Sequence, residues 1–208
     1  MKQFRNMVYP YVAWIAVMIV APMLMIVLYA FTTAGNDVTT IRFTLDNFAR
    51  FFSDQVFLDV LWRSLFIAVI TTIICVLVGY PIAYAIAQRS EKSNMFWVLV
   101  ITMPTWINMM VRTYAWVGIL QDGGLINSLL GLFGIGPFKM MYTTFAVVLG
   151  MVYNFIPFMI LQIHTSLTKM DKSYLEAAAD LGANKVQSFL RVTLPLSLPG
   201  VLSGITLV

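Results

Sequence analysis

Asn108, Arg112 and Trp116 stand at i, i+4 and i+8 inside an otherwise apolar stretch, a spacing that puts all three on one face of a helix. An arginine near the centre of a bilayer costs about 2.5–3.5 kcal/mol on insertion scales, so it must face a partner, a polar path or the interface. Along one continuous helix rising 1.5 Å per residue, Arg112 falls roughly 24 Å beyond Phe96, in the outer part of a span. There its long side chain reaches polar surroundings cheaply. Asn154 lies three residues before Pro157 and is expected to satisfy the carbonyl freed by the proline or to bond a neighbouring helix. Cys75 and His164 are the sole residues of their kinds and have no second ligand at metal spacing, so no metal site is expected. The apolar stretches contain no Ser, His and Asp set and no paired carboxylates, so no catalytic site and no cofactor are expected either.

The elements that position these side chains follow from composition. Of 208 residues, 60% are hydrophobic and 11% charged, against about 25% charged in a soluble domain. A fold this small cannot hide that much apolar surface from water, and the chain is far too hydrophobic to be disordered. The net charge of +4 is spread along the chain, unlike the clustered base of a nucleic-acid binder, so no nucleic acid is expected as a partner. The expected surroundings are membrane lipid. Charge-free runs cover Asn6–Asn36, Ser64–Gln88, Ser93–Val111 and Met140–Thr168. A hydrocarbon core of roughly 30 Å needs about 20 helical residues, and spans are expected near 8–31, 62–87, 96–120 and 143–164. The first is too long an apolar core for a signal peptide and reads as a retained helix. A fifth run, Val192–Val208, reads as a span cut short, so the chain is expected to be truncated at its C-terminus.

Sidedness comes from the bases. With the N-terminus inside, eight Lys and Arg fall on inner segments and four on outer ones, in keeping with the positive-inside rule. Gln88–Met95 and Thr165–Thr193 are then cytoplasmic. Outside, Phe48, Phe51 and Phe52 share a helical face, which predicts an interfacial amphipathic helix after Asp46. The glycines of Asp122–Pro137 are spaced unlike a nucleotide-binding loop and predict a bent loop with a short Leu125–Leu130 helix.

The inner segment Asp171–Gly200 reads DKSYLEAAADLGANKVQSFLRVTLPLSLPG. Ser173 with Glu176 predicts a capping box, and Gly182 a left-handed C-terminal cap. Asn184 with Gln187 predicts the start of a second helix, with Val186, Phe189, Leu190 and Thr193 on one face. Pro195 suits the first turn of the next. By itself this is an interfacial helical hairpin.

The string itself says more. Glu176-Ala177-Ala178, then Gly182, then Leu194-Pro195 resembles the EAA loop of bacterial ABC importer permeases, with Val192 in place of the family's Ile. Arg42–Phe52, Pro104–Leu120 and Tyr153–Met159 resemble the spermidine/putrescine permeases within that family, although importers of other small solutes share parts of them. The resemblance implies an all-α, polytopic type I permease bundle in the bacterial cytoplasmic membrane. Residues 1–61 would hold an N-terminal helix and external segment, and 62–208 an incomplete transmembrane domain with its coupling loop at about 165–194. It implies a cytoplasmic ABC ATPase docking on that loop, a second permease subunit, an external solute-binding protein, and ATP hydrolysis outside this chain. Family members have six spans. For a polyamine cargo, Trp106, Tyr114 and Trp116 would offer cation–π contacts and Asp122 a carboxylate at the outer mouth, with Asn108 and Arg112 on the same path. A secondary transporter would instead predict inverted repeats and intramembrane carboxylates, which the sequence lacks.

Overall fold

The computed structural model describes residues 2–33, 43–171 and 173–208, with side chains from Val8 onward in the first stretch. It falls into two compact units, divided between Ser64 and Leu65.

The first unit begins with α1 (Lys2–Ala30), apolar on all sides and carrying Pro10 and Pro22 within it. At 29 residues it extends about 43 Å, long enough to cross a bilayer. Its last carbonyls would be left without donors. Asn47 supplies one, its Nδ2 lying 3.2, 3.1 and 2.8 Å from the carbonyls of Tyr29, Ala30 and Thr32. Asn47 belongs to α2 (Asp46–Ser53), the expected amphipathic helix. Phe48 of α2 packs on Phe31 at 5.3 Å and Phe51 on Phe57 at 5.9 Å. The part of the outer segment between Thr39 and Arg42 lies outside the described residues. Asp54 Oδ1 accepts the Val56 N–H at 2.9 Å at the start of α3 (Gln55–Ala87), a helix that begins seven residues earlier than expected.

The second unit takes α3 from Leu65 and adds α4 (Glu91–Thr102), a 3-10 turn (Met103–Trp106), α5 (Met109–Leu120), α6 (Leu125–Leu132) and α7 (Thr144–Thr168). After these come α8 (Ser173–Asp180), α9 (Lys185–Ser188), a π-turn (Phe189–Thr193) and α10 (Leu194–Leu207). Its core joins α3, α7 and α10 through Cys75, Tyr80, Ala83, Met159, Ile163 and Val201. Lipid is as apolar as leucine, so such helices are held by close packing and hydrogen bonds. Both are present. Gly200 lets α10 sit against the Ser166 side chain and the Gln162 carbonyl, and Gly204 lets it sit against Met159. Tyr80 and Ser197 share a buried hydrogen bond of 2.8 Å between α3 and α10. Ser197 Oγ gives its own proton to the Leu194 carbonyl at 3.0 Å, so Tyr80 is the donor.

The expected continuous span at 96–120 is instead two limbs, Glu91–Trp106 and Met109–Leu132, bent by 89°. Pro104 has no N–H to continue the helix, and the chain tightens into the 3-10 turn, where Thr105 Oγ1 bonds the Thr102 carbonyl at 2.6 Å. Asn108 is therefore the N-cap of α5, its side chain accepting the Met110 N–H at 2.8 Å. It does not stack beneath Arg112 and Trp116, and the 24 Å reckoning from Phe96 does not apply.

One hydrogen bond ties the first limb to α7. His164 Nε2, near the end of α7, lies 2.8 Å from Asn94 Oδ1 near the start of α4. The start of α7 is about 30 Å from His164 along the helix. The chain between Asn94 and Thr144, which includes the bent pair, covers that distance.

Candidate functional site

Where α5 packs beside α7 lies an open cavity of about 350 Å³, lined by Arg112, Trp116, Leu120, Tyr142, Gly150 and Asn154 among others. Small-molecule sites usually begin near 300 Å³. Arg112 and Trp116 share the cavity face because they are one helical turn apart. The Trp116 ring is held edge-on by Tyr153 at 5.3 Å and 73°. Two buried polar atoms, Arg112 Nε and Asn154 Oδ1, have no hydrogen-bond partner among the described residues. Leaving such atoms unpaired costs about 1–3 kcal/mol each. Asn154 Oδ1 thus accepts no hydrogen bond from a neighbouring helix, the second of the two packing roles expected for it. An amide oxygen of this kind can accept from an ammonium, the aromatic faces can stabilise a cation, and the guanidinium opposes holding it tightly.

The other expected path residues lie elsewhere. Trp106 is 75% exposed in the 3-10 turn and Tyr114 74% exposed on the opposite side of α5. Asn108 is spent on its cap, and Asp122 is exposed after α5, away from the cavity lining. Tyr142 at the cavity carries no sequence signal. It has a φ of 62°, an outlier for a bulky residue of the sort that gathers at functional positions. Asn127 is equally silent in the sequence. It is 6% exposed and clamps the glycine-rich loop, its Oδ1 accepting the Phe138 N–H at 2.9 Å and its Nδ2 donating to the Phe138 carbonyl at 3.0 Å.

At the far end of α7 the hairpin of α8 and α9 is built by local rules, with one substitution of parts. Ser173 is already helical, and Asp171 takes the capping role, its Oδ1 accepting the Ser173 N–H at 2.9 Å. That bond holds the Asp171 carboxyl below its usual pKa. Gly182 has a φ of 79°. Around it the Ala183 N–H bonds the Ala178 carbonyl at 3.0 Å and the Gly182 N–H that of Ala179 at 2.9 Å, the paired bonds of a Schellman cap. Asn184 and Gln187 form the expected reciprocal box at 2.9 and 3.0 Å.

Beyond the box the expected shared face is divided. Val186 and Leu190 are exposed, Phe189 is half-buried and Thr193 is buried, because the π-turn adds a residue to the helical turn and rotates the later positions around the axis. Leu194 bonds back to the Phe189 carbonyl, and Pro195 sits in the first turn of α10. Glu176, Ala177 and Gly182 are exposed, whereas Ala178 is buried against the other limb. It lines a hollow of about 270 Å³ with Gln187 and Arg191.

Residues 76–208 match the family described as binding-protein-dependent transport system inner membrane component. The chain belongs to this family. The spermidine/putrescine transport system permease protein PotB of Salmonella typhimurium strain SL1344 is 37% identical over 212 residues, which cover 100% of this chain and 73% of the relative. PotB of Escherichia coli K12 is 36% identical over 206 residues, covering 97% and 74%. The solved structure of a bacterial ABC transporter involved in import of the acidic polysaccharide alginate superposes with a TM-score of 0.71 at 18% identity, covering 96% of this chain and 69% of that one. The alginate transporter in complex with its pentasaccharide-bound periplasmic protein gives 0.77 at 16%, covering 96% and 68%. At those identities the likeness concerns the fold, that of a type I permease. The chain is a multi-pass permease subunit of the bacterial inner membrane.

Proposed function

We propose that this permease subunit serves an ATP-driven importer of polyamines such as spermidine and putrescine. The observation that carries the reading is the likeness to PotB proteins, which runs through essentially the whole chain at 36–37% identity. Cargo passes along the bundle, which we read as residues 62–208 preceded by an accessory N-terminal segment at 1–61. The α8–α9 hairpin, within a loop at about 165–194, receives the cytoplasmic ABC ATPase through Glu176, Ala177 and Gly182, with Leu194 and Pro195 at its root. A second permease subunit and an external binding protein complete the importer. ATP is hydrolysed on the ATPase, and this chain contributes no reacting group. The test is uptake of labelled spermidine, putrescine and a panel of other solutes after removal of the operon. Loss of both polyamine activities, restored by the operon, is expected. Unchanged polyamine uptake with loss of another solute overturns the cargo.

Within the cavity, Asn154 supplies the acceptor for a passing ammonium. Asn154→Leu is expected to raise the KM of spermidine uptake about tenfold, the equivalent of about 1.4 kcal/mol. Arg112→Gln is expected to lower it, because removing a like charge favours the bound polycation. An unchanged KM in both variants would remove the cavity from the path.

The N-terminus and the hairpin face the cytoplasm in this reading, supported by the Lys and Arg asymmetry. Asn127 is buried and unsuited to a topology probe, but Ser90 and Gly136 are exposed, and a side chain at Gly136 meets no neighbour. With Cys75→Ala, an impermeant thiol reagent added outside is expected to label Gly136→Cys and spare Ser90→Cys. Labelling of both from outside would make the bent α4–α5 pair re-entrant, and the reverse pattern would invert the chain.

A further inference from the structure

The hairpin that meets an ATPase has to hand its movement to the membrane helices through its root, and the root is unusual. Between α9 and α10 the chain makes a π-turn at Phe189–Thr193, in which the Leu194 N–H reaches five residues back to the Phe189 carbonyl. Pro195 comes next and has no N–H to close an ordinary turn. Turns of this kind occur often at functional positions. Here the wide turn presents the Phe189 ring to α3, where it meets Tyr80 at 5.8 Å and 85° and Tyr84 at 5.2 Å and 76°. Both are edge-to-face geometries, the favoured arrangement for aromatic pairs. Tyr80 also donates to Ser197, two turns further along, so α3 is gripped at two levels. On its other side α10 is held to α7 at Gly200. α8 packs on α9 and on the π-turn, while the hairpin tip is open, with Leu181 89% exposed.

We propose that Phe189, seated between Tyr80 and Tyr84, is a positioning residue for energy coupling: it transmits displacement of the α8–α9 hairpin to α3. It touches neither solute nor nucleotide. The inference rests on the reading of the hairpin as the ATPase contact. A rigid aromatic wedge moves with the hairpin backbone, whereas a truncated side chain at the same position leaves the hairpin docked but slipping against α3.

The measurement is made on the assembled importer in detergent or nanodiscs, with ATPase co-purification, basal ATP hydrolysis, and hydrolysis stimulated by loaded binding protein read in parallel. Phe189→Ala is expected to retain the ATPase and basal hydrolysis, and to lose stimulation and solute uptake at least fivefold. Phe189→Tyr, which keeps the ring, is expected to restore both. Tyr84→Leu is expected to reproduce part of the loss, and the double variant to be no worse than Phe189→Ala, because contacting residues that act as one unit are not additive. Should Phe189→Ala fail to accumulate, Phe189→Leu with Tyr84→Leu carries the same expectation. Normal stimulation in a variant that binds the ATPase overturns the proposal, as does a loss of stimulation that merely tracks loss of the ATPase. Absence of the ATPase from the unaltered permease would instead overturn the functional reading beneath it.

Discussion

Gly200→Leu should lower the yield and the melting temperature of the permease more than any other single substitution between α7 and α10. A Cβ built at Gly200 meets the Ser166 side chain and lies 2.8 Å from the Gln162 backbone carbonyl. A backbone atom cannot step aside without moving α7. Overpacking of this kind costs about 1–3 kcal/mol and sometimes more, a large share of a total stability of about 5–15 kcal/mol. Gly200→Ala is already expected to lower the melting temperature in detergent. Gly204→Ala should cost less, since the nearest atom is the sulfur of Met159, which can rotate away. Gly118→Ala on α5 meets no neighbour and should be neutral, or stabilising by about 0.5–1 kcal/mol through helix propensity. Fluorescence size-exclusion profiles and melting curves of the four variants provide the check. Equal melting of Gly200→Ala and Gly118→Ala would mean that α7 and α10 do not pack as described.

The second large effect is expected at the hairpin, where two substitutions should disable coupling for different reasons. Gly182→Val forces a β-branched residue into a left-handed conformation, which costs about 1–2 kcal/mol in backbone strain alone. No neighbouring atom lies within 4 Å of a Cβ there, so the effect is conformational and the cap between α8 and α9 should open. Ala177→Trp leaves the cap intact and puts bulk on the exposed side of α8, where close approach of a partner is required. Ala178→Trp is a poorer probe, because Ala178 points between the limbs beside a hollow that can take part of the ring. Both Gly182→Val and Ala177→Trp are expected to insert normally, to retain less than about a tenth of the co-purifying ATPase, and to lose solute-stimulated hydrolysis. Full ATPase recovery in both would separate the hairpin from the ATPase contact.

Much of this molecule is legible from local chemistry. Apolar length alone marks α1, α3 and α7 as spans, since about 20 residues without charge have few alternatives to a bilayer. The Gly182 cap, the Asn184–Gln187 box and the amphipathic α2 depend on residues within a turn of one another, and they form as the spacing requires. The Glu-Ala-Ala, Gly and Leu-Pro string points to the permease family for the same reason: it is a local pattern.

Contacts between distant residues are decided only by the tertiary structure. The charge-free stretch around Pro104 reads as one span, because hydropathy carries no direction. The 89° break becomes visible only where Asn108 caps a new helix and Asn94 meets His164, 70 residues away. Arg112 and Asn154 have no sequence relation, yet α5 beside α7 makes them line one cavity. Tyr80, Ser197 and Phe189 likewise come together across more than a hundred residues. Side-chain periodicity specifies which face of a helix is alike, but not which other helix will cover it; that depends on where small residues such as Gly200 permit backbones to meet.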